Sequence, residues 1–153
     1  MKALTLSLLF FFTAGTEAKI FDRCHLASIL KLHGLDGYRG IPLDDWICLV
    51  HHGNGFNSKS VTSRKNRKIQ FFGIFQIDNH WWCDNKQGYS ANLCKMSCNA
   101  FINDDLNDDI ACAKKIVKSR QKMNAWDDWQ RNCKGKNVSE WTLGCKFDFH
   151  GSG

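Results

Sequence analysis

The run Cys94-Lys95-Met96-Ser97-Cys98-Asn99-Ala100-Phe101-Ile102-Asn103-Asp104-Asp105-Leu106-Asn107-Asp108-Asp109-Ile110-Ala111-Cys112 decides the fold. Its second half opens a helix. Acids cluster before the apolar positions Ile110, Ala113, Ile116 and Val117, and Lys114, Lys115 and Lys118 follow near the end. That polarity suits the helix dipole, so the spacing predicts a helix over Asp105 to Lys118.

Outward from this run, five more cysteines stand at Cys24, Cys48, Cys83, Cys133 and Cys145. An even number of cysteines argues for four disulfides if the chain is exported. Zinc is the alternative, but there is no C-x-x-C pair, and thiolate ligands need a reducing compartment. Eight cysteines allow ~105 connectivities, so spacing alone leaves the pairing open. Export is expected from residues 1–18. Met1-Lys2 is followed by an apolar run from Leu4 to Phe12 and then Thr16-Glu17-Ala18, the pattern of a secretory signal peptide cut after Ala18. The apolar run is about half the ~20 residues that span a bilayer, so no membrane span is expected.

The whole chain has 153 residues, 43% hydrophobic and 24% charged, with one proline. This fits one globular domain and excludes a disordered or low-complexity chain. A net charge of +6 favours anionic partners without naming one. Leu26, Ile29, Leu30 and His33 recur at helical spacing, closed by Gly34. Asp44 or Asp45 is expected to cap a second helix through Trp46, Ile47 and Val50, ending near Gly53. From Asn54 to Arg67 no period survives. Ile69 to Ile77, β-branched and aromatic around Gly73, predicts a hairpin or two short strands. A short helix is expected from about Ala125 to Arg131. The sum is an α+β domain with helices at both ends.

These residues together resemble the c-type lysozyme and α-lactalbumin family. The resemblance rests on Lys19-Ile20-Phe21-Asp22-Arg23-Cys24, on His33 to Gly40 and on Gly73-Ile74-Phe75-Gln76-Ile77. It continues through Trp81-Trp82-Cys83, Cys112 to Val117 and Met123-Asn124-Ala125-Trp126. The run from Cys94 to Cys112 carries the family signature. The resemblance covers residues 19–145 and leaves 146–153 as a short tail. It implies a two-lobed fold with a cleft between a helical lobe and a small antiparallel β lobe. It also implies the disulfides Cys24–Cys145, Cys48–Cys133, Cys83–Cys98 and Cys94–Cys112.

Family membership does not fix function, because the family holds glycosidases and a non-catalytic galactosyltransferase regulator. Glycoside hydrolysis needs two carboxyls across the bond, one a proton donor and one a nucleophile or charge stabiliser. Lysozyme is the standard example of this mechanism. The resemblance puts these groups at Gly53 and Phe71, and neither is acidic. No Asp or Glu stands anywhere between Asp45 and Asp78. Instead the segment carries Lys59, Arg64, Lys65, Arg67 and Lys68, which would oppose a developing oxocarbenium charge. His51 and His52 are the only other titratable groups near the acid position, and a surface role suits them better. Lysozyme-type hydrolysis is therefore expected to be lost or severely impaired.

Trp81, Trp82, Trp126, Asp78 and Ala125 match the positions that line the family's sugar cleft. Aromatic faces suit sugar C–H faces. The competing readings are packing for the tryptophans and a backbone-bonded loop residue for Asp78. The 99–109 loop resembles the family's calcium loop, with Asn103, Asp108 and Asp109 as side-chain ligands and Ala100 and Asp105 as carbonyl ligands. Calcium takes 6–8 oxygens, and one family carboxylate is here the amide Asn103, so weaker binding is expected. Otherwise Asp108 and Asp109 merely favour a helix N-terminus. Asn137-Val138-Ser139 is an N-glycosylation sequon. The expected protein is a secreted monomer binding N-acetylated glycan, peptidoglycan or a protein partner, with no nucleic acid. The alternatives are a residual bacteriolytic enzyme and an α-lactalbumin-like regulator, for which His52 and Trp141 match and His51 and Glu140 depart.

Overall fold

A computed structural model describes residues 19–64 and 68–147. The expected signal segment, residues 1–18, lies outside the described residues, as do Lys65 and Arg67 of the basic loop and most of the tail. Among the described residues there are four helices and a three-stranded sheet: α1 Arg23–Leu32, α2 Leu43–Asn54, β1 Val61–Ser63, β2 Gln70–Phe72, β3 Ile77–Asp78, α3 Asn107–Lys118 and α4 Asp127–Asn132. Short 3-10 turns stand at Cys98–Phe101, Lys122–Ala125 and Ser139–Thr142.

The first helix begins where Asp22 accepts the amide N–H of His25, and it closes on His33 with Gly34 left-handed behind it. The second helix corrects an expectation. Neither Asp44 nor Asp45 caps it; Pro42 occupies the N-cap position without a side-chain cap bond, and both aspartates lie in the first turn. Proline has a preset φ and no N–H to leave unsatisfied, so the helix starts before the acids. Their carboxylates bond elsewhere: Asp45 accepts Trp129 Nε1–H at 2.8 Å and Asp44 accepts the Thr142 hydroxyl at 3.0 Å. The third helix starts at Asn107, two residues later than expected, and buries Ile110, Ala113, Ile116 and Val117. The fourth also starts later than expected, because Ala125 closes a 3-10 turn and Trp126 is extended.

The sheet runs β1-β2-β3, antiparallel throughout. Val61 pairs with Phe72, and Phe71 pairs with Asp78. The strand Val61–Ser63 falls inside the stretch where the sequence shows no period. All three of its residues are exposed, so no alternation marks it. Gly73 stands at φ +76°, and a Cβ there would lie 1.9 Å from the Phe101 carbonyl oxygen. Only glycine lets the β2–β3 turn lie against the Cys98–Phe101 turn this closely.

One core joins both lobes. Trp46 is fully buried and meets Phe75 and Trp126 edge to face, at 5.6 Å and 5.9 Å between ring centroids. The four disulfides are Cys24–Cys145, Cys48–Cys133, Cys83–Cys98 and Cys94–Cys112, the pairing that the resemblance implies. Among the described residues no helix is long and apolar enough to cross a membrane.

Candidate active-site cleft

A cavity of about 190 Å³ opens between the sheet and α4. Gly53, Phe71, Asp78, Trp82, Ala125 and Trp126 all line it. Trp126 forms part of its wall as a buried residue, with its indole N–H donating to the Phe75 carbonyl at 2.7 Å. Core packing and cleft lining are therefore one position here. Trp82 is also buried, at 9% exposure. Trp81 is 52% exposed, meets the His80 ring edge to face at 4.6 Å, and lies outside the cavity lining.

Gly53 and Phe71, where the resemblance implies catalytic acids, have different neighbours. Gly53 is helical, and a Cβ added there would stand 3.7 Å from Asp128 Oδ2 and 3.6 Å from Gln76 Cγ. A carboxylate from α4 thus faces the place where a side chain at 53 would begin. Phe71 sits in β2 directly opposite Asp78 in β3. Asp78 Oδ1 accepts the N–H groups of His80 at 2.9 Å and Trp81 at 2.8 Å. It is the backbone-bonded loop residue and a cleft residue at once. Burial pushes its carboxyl above the ordinary aspartate range, and these two N–H groups pull only part of the way back.

Two arginines hold the acids on the helical side. Arg131 donates to Asp128 at 3.1 Å. Arg64, just past β1, forms an ion pair with Asp127 at the start of α4. Its guanidinium also lies over the Phe71 ring, 5.3 Å from the centroid. Sequence reading singled out Arg64 only as part of a basic run and passed over Asp127 and Asp128. No local pattern marks a pair 63 residues apart.

His51 and His52 are exposed and do not line the cavity. Their rings gather on Trp141, at 4.4 Å and 5.6 Å. Partial desolvation, despite its overall exposure, and the charge of neighbouring His51 hold the His52 imidazole below the ordinary histidine value. Its Cys48 and Cys133 neighbours are joined in a disulfide and offer no thiolate to a metal. Asn137 is exposed, and its side-chain oxygen accepts the Ser139 hydroxyl at 2.7 Å.

In the 99–109 loop, Asp109 is fully buried, and neither of its carboxylate oxygens has a hydrogen-bond partner. Burial pushes its carboxyl up to about 8; the Asp109 and Ile74 backbone N–H groups, outside hydrogen-bond geometry, act weakly the other way, and Asp108 and Asp105 add negative charge. Orphaned buried oxygens fit a cation ligand. Asn103 Oδ1 accepts the Asp105 N–H at 3.0 Å and keeps a second lone pair. Asp108 lies exposed in the first turn of α3. This donor set is the hard oxygen type that calcium takes.

Residues 19–145 match the C-type lysozyme/alpha-lactalbumin family. Lysozyme C-3 of Sus scrofa is 40% identical over 147 residues, covering 95% of this chain and 99% of its own. Sperm acrosome-associated protein 5 of Bos taurus is 43% identical over 132 residues, covering 86% and 84%. A crystal structure of canine milk lysozyme superposes with a TM-score of 0.80 at 41% identity, covering 84% of this chain and 99% of that one.

Proposed function

The chain belongs to the C-type lysozyme/alpha-lactalbumin family, and from that premise we propose that it is a secreted glycan-binding protein that has lost lysozyme hydrolysis. The observation that carries this reading is the pair of non-acidic residues Gly53 and Phe71 in a cleft that keeps Trp82 and Trp126 on its wall. Without a proton donor and an opposed carboxylate, the lysozyme mechanism has neither of its working groups. A cleft walled by indoles still suits sugar rings. Four disulfides accord with an oxidising, extracellular setting. Calcium fits the 99–109 loop as a structural ion held by Asn103, Asp108, Asp109 and the Ala100 and Asp105 carbonyls. Bound there, it would supply positive charge against the buried Asp109.

A muramidase assay, with peptidoglycan binding measured on the same sample, tests the proposal. Binding without turnover supports it; turnover near that of an active lysozyme overturns it. Weak hydrolysis is a second reading, favoured by Asp128 facing position 53 and Asp78 opposite position 71. Under that reading, residual turnover vanishes in Asp128→Asn. A protein-partner reading in the manner of α-lactalbumin draws on the His51, His52 and Trp141 cluster. It predicts that Trp141→Ala removes a partner's binding and leaves glycan affinity unchanged.

A further inference from the structure

The ion pair between Arg64 and Asp127 crosses the cleft. Arg64 belongs to the β lobe, immediately after β1, and Asp127 begins α4 in the helical lobe. Both line the same cavity, as do Trp126, Gln76 and Ile77. The guanidinium has a second anchor in the face of Phe71, 5.3 Å away. Phe71 stands in β2 at the position the family gives to a carboxylate, and it presents a flat ring beneath a cation where an acid would present an anion. The neighbouring acid, Asp128, is held by Arg131 at 3.1 Å and so leaves Arg64 to Asp127.

The small cavity volume fits a divided groove. About 190 Å³ falls below the ~300–1,000 Å³ of pockets that take a whole drug-sized ligand. A polysaccharide lying along a lysozyme cleft must pass between the lobes, and here a side-chain bridge joins them. A short saccharide or a chain end can seat against the indole wall on one side of that bridge. We propose that the Arg64–Asp127 bridge is the specificity device of this cleft, barring continuous glycan strands and admitting short oligosaccharides and chain ends. This rests on the glycan-binding reading and sets the ligand length that reading leaves open.

The ion pair is roughly half exposed, with side chains at 45% and 43% accessibility, so salt weakens it. That supplies a handle needing no mutation. The probes are N-acetylglucosamine oligomers from disaccharide to hexasaccharide, with affinity read by calorimetry. In the unaltered protein at low salt, hexasaccharide and disaccharide should bind about equally. In Asp127→Asn and in Arg64→Gln, the hexasaccharide should bind about tenfold more tightly than the disaccharide, since contacts across the groove then add. Half-molar salt should raise that ratio in the unaltered protein and leave it unchanged in either variant. Melting curves establish that both variants are folded, and the salt series carries the test if one is not. A ratio that already climbs with length in the unaltered protein, or is the same in the variants, overturns the bridge. Absence of saccharide binding by all three proteins overturns the glycan reading and the bridge with it.

Discussion

Asp109 is a fully buried carboxyl with no hydrogen-bond partner, raised to about 8 by its burial. In the unfolded chain it titrates near ~3.9. The folded state therefore holds the proton more tightly. The stability this confers is complete below about pH 4 and is lost as pH rises toward about 8. In chelator, the melting temperature should fall between pH 5 and 8, and Asp109→Asn should flatten that fall. Calcium bound by this loop reverses the argument, because it needs the ionised form. It should raise the melting temperature most at the upper end of this range, in proportion to free calcium. Asp108→Ala should abolish the rise and Asn103→Asp should enlarge it. A melting curve indifferent to millimolar calcium would remove the site. The tryptophans divide at this scale too. Trp126→Ala removes a buried ring bonded to Phe75 and should cost ~3–5 kcal/mol in denaturant unfolding. Trp81→Ala removes a ring 52% exposed and should cost under ~1 kcal/mol. If glycan affinity falls with the second change as well, the sugar path extends beyond the cavity to the exposed indole. The exposure of Trp81 was legible in the sequence only through the resemblance. The indole-to-carbonyl bond of Trp126 was not legible, since its partner lies 51 residues away.

At the scale of elements, the helices were readable because their own residues carry the period. Ile110, Ala113, Ile116 and Val117 share a face and all are buried. The ends were less readable. Asp44 and Asp45 have the composition of a cap, yet tertiary partners, Thr142 and Trp129, take their carboxylates. A cap preference is worth about 1 kcal/mol, and a long-range bond to a carboxylate can equal it. The exposed strand Val61–Ser63 left no signal, because its pairing with β2 is made by backbone groups. Gly73 could be read as a turn glycine, but not as the point where two elements touch. Gly73→Ala should cost ~3 kcal/mol or more, since the added carbon meets the Phe101 carbonyl at 1.9 Å and the backbone is left-handed. Gly55→Ala makes the control. Its φ is +63°, but nothing lies within 4 Å of an added Cβ, so only the backbone term of ~1 kcal/mol applies. Equal losses in the two variants would show that the close approach carries no energy.

For the whole molecule, the proposed loss of hydrolysis raises the question of whether carboxylates placed at 53 and 71 would give this scaffold lysozyme chemistry. The fold, its disulfides and the absence of acids at 53 and 71 were legible, because cysteines and missing carboxylates are local facts. The charges that refill the cleft were legible only in part: Asp128 and Arg131 stand three apart on one helix, whereas Arg64 and Asp127 meet only after folding. They decide the outcome of a rescue. Gly53→Glu is sterically open, with its nearest neighbours 3.6 Å and 3.7 Å from the new Cβ. One of those neighbours is Asp128 Oδ2, so the new acid stands beside an existing carboxylate. Like charge raises the pKa of an added carboxyl, and a general acid benefits from that. Phe71→Asp has the harder position. It removes the ring under Arg64 and places an anion where that guanidinium can pair with it. A carboxylate engaged by arginine is a poor nucleophile and stabilises an oxocarbenium ion weakly. The double variant Gly53→Glu with Phe71→Asp should therefore show little peptidoglycan hydrolysis. Adding Arg64→Gln should raise its turnover by about tenfold or more, since loss of a working catalytic group typically costs ~10²–10⁴. A double variant that reaches the rate of an active lysozyme with Arg64 in place would show that only the two carboxylates were missing. If the triple variant gains nothing over the double, some other part of the altered cleft, such as Asp127 or the remaining basic loop, opposes the reaction.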